Sequence, residues 1–157
     1  MANYCNNDIV VFAYKTNKVE EFRKFMENYI QNNEDKTVRG FVIKCGFAKE
    51  EAYKITDPRD TLIDIDDQIY KKENVYYFNF QTESAWTPNV EVFKSIIQAK
   101  FNGELEMEYR SEEPGVGNYI NTDEEGFFFS ERFFLDSCVN DEYHTEYYDS
   151  KEEVLEW

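Results

Sequence analysis

The chain has 157 residues, of which 41% are hydrophobic and 18% aromatic; this excludes an intrinsically disordered protein and predicts a single domain over residues 1–157. Lys and Arg number 17 against 33 Asp and Glu, and residues 61–157 carry the whole net charge of −16, since they hold seven basic and 23 acidic residues. This acidic C-terminal half excludes direct binding to nucleic acid or to an anionic membrane and favours a basic protein surface as the partner.

The first part of the chain predicts strands around a long amphipathic helix. Residues 8–14 are apolar and β-branched, which is typical of a buried strand. Asn17 is a good helix N-cap, and Glu20, three residues later, completes a capping box. After this helix, residues 41–47 predict a second strand and residues 61–65 a short third one.

The second part of the chain predicts a strand, a helix and further strands. Residues 75–82 predict a strand, and Thr87 followed by Pro88 predicts the N-cap and the first position of a second helix. Residues 104–112 alternate between acidic and apolar types, as in a strand with one buried face. Further strands are predicted at residues 127–135 and 143–148, and a short terminal helix after Ser150.

The order β-α-β-β-α-β predicts an α+β fold, a ferredoxin-like split βαβ sandwich. In this fold an antiparallel sheet carries two helices on one face; here we expect extra C-terminal strands and the terminal helix in addition. The two helices share an apolar spacing, Val19 and Phe22 in the first against Val90 and Phe93 in the second. Either two equivalent halves pack on one sheet, or this is the ordinary spacing of any amphipathic helix.

Several short patterns occur at the predicted element boundaries. They are Asn3-Tyr4-Cys5-x-Asn7 at the start, Trp86-x-Pro88 at the second helix, Tyr109-x-x-Glu112-Glu113-Pro114-Gly115-x-Gly117, and Gly126 before a long strand. These patterns resemble those of the YubB-type ferredoxin-like family, which is encoded largely by phages, conjugative plasmids and other mobile elements. The resemblance spans most of the chain and implies a ferredoxin-like fold without an iron–sulfur cluster. It implies no catalytic residues, and residues 48–74 depart from the family's pattern.

The cysteines and the N-terminal residues predict a cytoplasmic location in a host bacterial cell. Cys5, Cys45 and Cys138 are an odd number without close spacing, so we expect neither a disulfide scaffold nor a zinc site. The N-terminal residues lack the features of a signal peptide, and no apolar run approaches the roughly 20 residues that a membrane span needs.

Two groups of residues are candidates for chemistry. His144 lies six residues after Cys138, and a nucleophile pair would need these side chains within hydrogen-bond reach. An exposed histidine beside a structural cysteine explains the same residues. The aspartates at residues 64–67 resemble the start of an EF-hand loop, but the required Gly and Glu are missing. We therefore expect no enzyme activity, no cofactor and no metal.

The acidic residues of the strand predicted at 104–112 are the candidate binding surface. Alternate residues of a strand lie about 6.5–7 Å apart, comparable to neighbouring phosphates on one nucleic-acid strand. Crowded like charges reduce stability, and a basic partner is one reason to keep them; a solvated face is the other reading. The predicted partner-binding residues are Glu104, Glu106, Glu108, Glu112, Glu113, Asp123, Glu124 and Glu125.

From this charge pattern and the mobile-element resemblance we expect a non-enzymatic inhibitor that mimics nucleic acid. It would bind the basic nucleic-acid-binding surface of a host defence protein, in an anti-CRISPR or anti-restriction role. The alternative is an immunity protein that neutralises a basic nuclease toxin. Two other readings stay open: an enzyme that uses Cys138 and His144 or a carboxylate-bound metal, and a structural or regulatory module. The sequence leaves the oligomeric state open.

Overall fold

The computed structural model describes residues 4–85, 87–113, 118–129, 133–139 and 142–148. In these residues the chain forms four helices, an open antiparallel sheet of six strands and a two-stranded sheet. The strands are β1 (Tyr4–Ala13), β2 (Thr61–Ile65), β3 (Tyr70–Lys72), β4 (Val75–Ala85), β5 (Glu106–Glu113), β6 (Asn118–Asn121), β7 (Phe133–Val139) and β8 (Glu142–Tyr148). The helices are α1 (Thr16–Asn32), α2 (Val38–Lys44), α3 (Lys49–Ile55) and α4 (Glu91–Phe101).

The six-stranded sheet has the order β2-β4-β1-β5-β6, and β3 also pairs with β4. Each strand is antiparallel to its neighbours, and β1 lies between β4 and β5, so that Ile9 is opposite both Phe80 and Tyr109. The predicted α+β class with an antiparallel sheet is confirmed. The strands β7 and β8 pair with each other.

The core lies between one face of the sheet and the helices α1 and α4. Phe22 of α1 packs against Phe78 of β4 with ring centroids 5.9 Å apart, and Phe93 of α4 packs edge-on against Phe80 at 4.9 Å. Such aromatic pairs add to the stabilisation from apolar burial. The predicted helix faces are confirmed, since their central residues are buried: Val19, Phe22, Met26, Val90, Phe93, Ile96, Ile97 and Phe101.

A buried polar cluster fixes the register of the three central strands. Asn7 of β1 donates to Thr82 Oγ1 at 3.1 Å and to Ser84 Oγ at 3.0 Å on β4. On its other side, Ser111 Oγ of β5 donates to Asn7 Oδ1 at 2.6 Å. Because these polar groups are all buried, a slip of either neighbouring strand would leave them unpaired.

The opposite face of the sheet carries none of the four described helices, and we call it the open face. Cross-strand register and side-chain alternation place fifteen residues of the central strands on it. They are Tyr4, Asn6, Asp8, Val10 and Phe12 of β1, Val75, Tyr77, Asn79, Gln81, Glu83 and Ala85 of β4, and Glu106, Glu108, Arg110 and Glu112 of β5.

Residues 123–129, which we call the strap, lie across part of the open face. The Asp123 carboxylate accepts the backbone N–H groups of Phe128 at 2.6 Å and Phe129 at 3.0 Å. The Phe128 ring then packs on Phe12, with centroids 4.8 Å apart. Val10, two residues before Phe12 on the same face of β1, is fully buried.

The predicted strand at residues 41–47 is wrong, because α2 occupies most of this segment. Thr37 caps the helix, since its Oγ1 accepts the backbone N–H of Gly40 at 3.1 Å. Gly46 has φ +104° and lies just past the helix end, where this conformation favours glycine. The buried residues have helical spacing: Val38, Phe41 and Val42.

Both predicted helix starts are also wrong. The helix α1 begins at Thr16, and its N-cap is Lys15 without a side-chain cap bond, so Asn17 lies inside the first turn. The helix α4 begins at Glu91, three residues after Pro88. The reason is that Thr87 belongs to a turn that closes β4: its N–H donates to Ala85 O and its carbonyl accepts from Ser84 Oγ, both at 2.8 Å.

The strand predicted at residues 127–135 is wrong in its first part. Residues 127–129 belong to the strap, where Asp123 takes the N–H groups that a strand would use for pairing. The strand β7 begins at Phe133, and β8 confirms the strand predicted at 143–148. The terminal helix predicted after Ser150 lies outside the described residues.

Candidate functional site

The open face is strongly acidic along its three central strands. On these three strands it carries five acidic residues and one basic residue, Arg110. Arg110 Nη2 donates to Asp8 Oδ2 at 3.1 Å, and the guanidinium lies 5.1 Å from the ring centroid of Phe129. Lys72 of β3 lies on the same face and donates to the Phe127 carbonyl, so both cations are already engaged by this chain. The five acidic residues are Asp8, Glu83, Glu106, Glu108 and Glu112.

The predicted row of glutamates is partly reproduced on β5. Glu106 is opposite Phe12 and Glu108 is opposite Val10, so both lie on the open face. Their spacing is that of alternate strand residues, about 6.5–7 Å. Glu104 is exposed and precedes the first residue of β5. Glu112 lies on the same face and is half-buried, but Arg110 separates it from Glu108.

The turn at the start of the strap brings two further predicted residues to this surface. Thr122 Oγ1 donates to the Glu108 carboxylate and lies 2.9 Å from the Tyr109 backbone N. These bonds fix the turn against β5. Glu124 and Glu125 are exposed there and line the same cavity as Glu108.

Two of the predicted partner-binding residues are buried. Glu113 is 3% exposed, and alternation from Ser111 places it on the face that carries the helices. Asp123 is 9% exposed and accepts the two N–H groups that shape the strap. Neither presents a carboxylate to a partner, so the candidate surface consists of the other six predicted residues.

An open cavity of about 640 Å³, which we call the acidic cavity, lies at the end of β1. None of its described lining residues is basic, and the acidic ones are Glu73, Glu108, Asp123, Glu124 and Glu125. Its aromatic lining residues are Phe12, Tyr14, Phe127 and Phe128. The cavity therefore combines carboxylates with the faces and edges of aromatic rings.

A second cavity, of about 360 Å³, lies where Asp8, Arg110 and residues 64–66 meet. The Asp66 carboxylate accepts the backbone N–H of Asn79 at 2.8 Å, and the Asp64 carboxylate accepts that of Ile65 at 2.9 Å. These aspartates stabilise the local backbone. In the part of the chain that the structure describes, no group of three or more His, Cys, Asp or Glu is arranged to hold a metal ion.

The cysteines with described side chains are poor nucleophiles. Burial raises the pKa of the Cys5 thiol to about 11 and that of Cys45 to about 12, so both are protonated at neutral pH. In the β7–β8 register, Cys138 is opposite Tyr143 and His144 is opposite Ser137. The side chains of Cys138 and His144 lie outside the described part, and their pairing stays a hypothesis.

The aromatic lining of the acidic cavity was not predicted from the sequence. Phe12 belongs to a continuous apolar run, which is typical of a strand buried on both faces. The strap, which folds back from far along the chain, brings Phe128 onto this residue and completes the acidic cavity.

Comparison of the chain with protein-family models, curated proteins and solved structures gives no match. The YubB-type resemblance therefore stays a prediction. Across the described residues, no helix has the length and apolar character that crossing a membrane requires.

Proposed function

We propose that this protein is a non-catalytic inhibitor whose acidic open face binds a basic protein surface in place of nucleic acid. One observation carries the proposal: the central strands present five acidic residues and only Arg110, which is already paired with Asp8. A surface with this excess attracts a basic partner over long range and selects against acidic ones.

The mechanism is steric and electrostatic competition. Glu106 and Glu108 stand at a spacing near that of successive phosphates, and Glu124 and Glu125 extend the charge beyond the sheet. Arg and Lys side chains that hold phosphates would pair with these carboxylates instead. Nucleic acid could then no longer reach the occupied groove.

A binding role needs no catalytic group, and the described residues favour such a role. The thiol of buried Cys5 and that of half-buried Cys45 have raised pKa values, which opposes thiolate formation at neutral pH. The carboxylates of Asp66 and Asp123 are occupied by backbone N–H groups.

We also propose that the fold is ferredoxin-like and that the protein acts in the cytoplasm of a bacterium, encoded by a mobile element. The order β2-β4-β1-β5 with α1 and α4 on one face supports the fold, because it matches two interleaved βαβ units. The strands β3 and β6 are then additions to this arrangement. The natural target is a nucleic-acid-binding defence protein, which gives the anti-CRISPR or anti-restriction role.

The test is phage plating on bacterial strains that each carry one restriction or CRISPR system. Expression of the protein should restore plating, in at least one strain, to the level seen without the system. An open-face variant, Glu104→Gln/Glu106→Gln/Glu108→Gln, should lose this effect because it removes three carboxylates without adding bulk.

A helix-side variant provides the matched control. Glu34→Gln/Asp35→Asn/Glu51→Gln removes the same charge from exposed residues beside α2 and α3 and should restore plating like the wild type. Unrestored plating in every strain would contradict the anti-defence role. Equal loss in both variants would mean that net charge, and not the open face, is responsible.

A further inference from the structure

We propose that the acidic cavity is a subsite that receives an arginine side chain of the basic partner. The inference rests on the proposed function, since it adds one specific contact to the open face. Its occupant follows from the lining, which combines carboxylates with exposed aromatic surface and, among the described residues, contains no basic side chain.

The charge of the cavity selects a cation. Besides Asp123, whose carboxylate accepts two backbone N–H groups, four acidic residues line it, and among them Glu108, Glu124 and Glu125 belong to the candidate surface. A cleft lined by charges of one sign concentrates the field inside it, so a partner cation is attracted more strongly there than on the flat sheet. The volume of about 640 Å³ is ample for a guanidinium group and the chain that carries it.

The aromatic lining selects arginine over lysine. Tyr14 is 73% exposed, and it lines the cavity together with Phe12 and Phe128, whose ring centroids lie 4.8 Å apart. A planar guanidinium can stack on such rings while its N–H groups pair with carboxylates, whereas an ammonium is a compact charge that holds its water more tightly.

The strap already makes two contacts of this kind within the chain. Lys72 Nζ lies 4.5 Å from the ring centroid of Phe127 and donates to the Phe127 carbonyl. The Arg110 guanidinium lies over Phe129 on the neighbouring part of the strap. Phe128, between these two, turns to Phe12 and lines the cavity. Two of the three phenylalanine rings of the strap, Phe127 and Phe129, thus already contact a cation of this chain.

The test uses fluorescently labelled oligoarginine and oligolysine of equal length, titrated with the full chain and followed by anisotropy. The wild type should bind oligoarginine more tightly. Tyr14→Ala should weaken oligoarginine about fivefold, as expected for the loss of an exposed cation–π contact, and should leave oligolysine nearly unchanged. Tyr14 is largely exposed, so its replacement should not disturb folding. Tyr53→Ala on α3 is the control, since Tyr53 is also exposed but lies away from the cavity, and it should change neither affinity.

A second variant separates this inference from the proposed function. Glu104→Gln/Glu106→Gln removes open-face charge outside the cavity and should weaken both peptides by the same factor. Equal affinity for the two peptides, or no effect of Tyr14→Ala, overturns the arginine subsite while charge-dependent binding to the open face still stands. Failure of both peptides to bind overturns the subsite and the proposed binding surface together.

Discussion

At the scale of single residues, the buried carboxyl of Asp60 makes the stability of the folded state depend on pH. Its side chain is 2% exposed, and its Oδ2 accepts from Asn89 Nδ2 and, at 3.1 Å, from the backbone N–H of Asp57. Burial raises the pKa of this carboxyl, and the nearby Asp57 charge raises it further, against the hydrogen bond from Asn89. The folded state therefore binds this proton more readily than the unfolded state does.

The sign of the pH dependence follows from this raised pKa. The contribution of Asp60 to stability is complete below the unfolded pKa, near 4, and is lost as the pH rises through the folded pKa. The variant Asp60→Asn has no proton to lose at this position. We therefore expect the free energy of unfolding of the variant to fall less than that of the wild type between about pH 4 and 7. Urea unfolding at a series of pH values measures this, with exposed Asp35→Asn as the control. Parallel curves for wild type and Asp60→Asn would contradict the assignment.

Gly40 of α2 is packed so closely against Tyr29 that a side chain has no room there. A Cβ atom there would overlap Tyr29 Oη, which lies 2.9 Å from the Thr37 carbonyl oxygen and 3.0 Å from that of Asp35. We expect Gly40→Ala to lower the free energy of unfolding by about 1–3 kcal/mol, because the buried ring must move. Tyr29→Phe removes the overlapping oxygen, so its combination with Gly40→Ala should cost less than the two separate losses added together. Strict additivity in urea unfolding would contradict this contact.

At the scale of elements, apolar periodicity was a good guide to α1, α4 and β5 and a poor one to α2. The faces of the long helices contain several turns of repeated apolar residues, which distinguishes them from strands. The segment at 41–47 is short and β-branched, and its helical signals lie outside it, in Thr37 and Gly46. The predicted helix starts were wrong for a related reason. Thr87 is a residue type suited to capping a helix, but its backbone takes part in the turn that closes β4.

The strap is the element that sequence patterns could not place. Its aromatic residues read as a strand, but a single carboxylate, Asp123, turns them onto the open face. We expect Phe129→Ala to lower the free energy of unfolding by about 3 kcal/mol, because this ring is 7% exposed. Half-buried Phe127 should cost less when replaced by alanine. Urea unfolding compares the two; a negligible loss for Phe129→Ala would show that the strap does not cover the sheet.

At the scale of the whole molecule, the net charge of −16 opposes folding, and salt should relieve it. At 0.1 M salt the screening length is about 10 Å, which is longer than the spacing of the open-face carboxylates. Their repulsion therefore persists at low salt and is screened only at high salt. We expect the open-face variant Glu104→Gln/Glu106→Gln/Glu108→Gln to be more stable than the wild type at low salt and to lose this advantage at high salt. The helix-side variant should gain less. Thermal unfolding across a salt series measures both; an open-face variant that is less stable at low salt would contradict the repulsion.

The sequence alone predicted the class of fold and the negative charge of the surface, but not which residues form the candidate site. The alternation of acidic and apolar residues predicted that Glu106 and Glu108 share one face of a strand. The net charge follows from the composition alone. Whether a carboxylate is exposed depends on strands and turns from elsewhere in the chain. Glu113 and Asp123 were therefore indistinguishable from Glu124 and Glu125 before their burial was seen.

The most direct test of the central claim is displacement of DNA from the defence protein that the plating assay selects. Labelled DNA bound to that purified protein is titrated with the wild type, the open-face variant and the helix-side variant. We predict that the wild type and the helix-side variant release the DNA, that added salt weakens them equally, and that the open-face variant releases far less. Bound DNA that stays in place with the wild type, or equal release by the two variants, would contradict nucleic-acid mimicry by the open face.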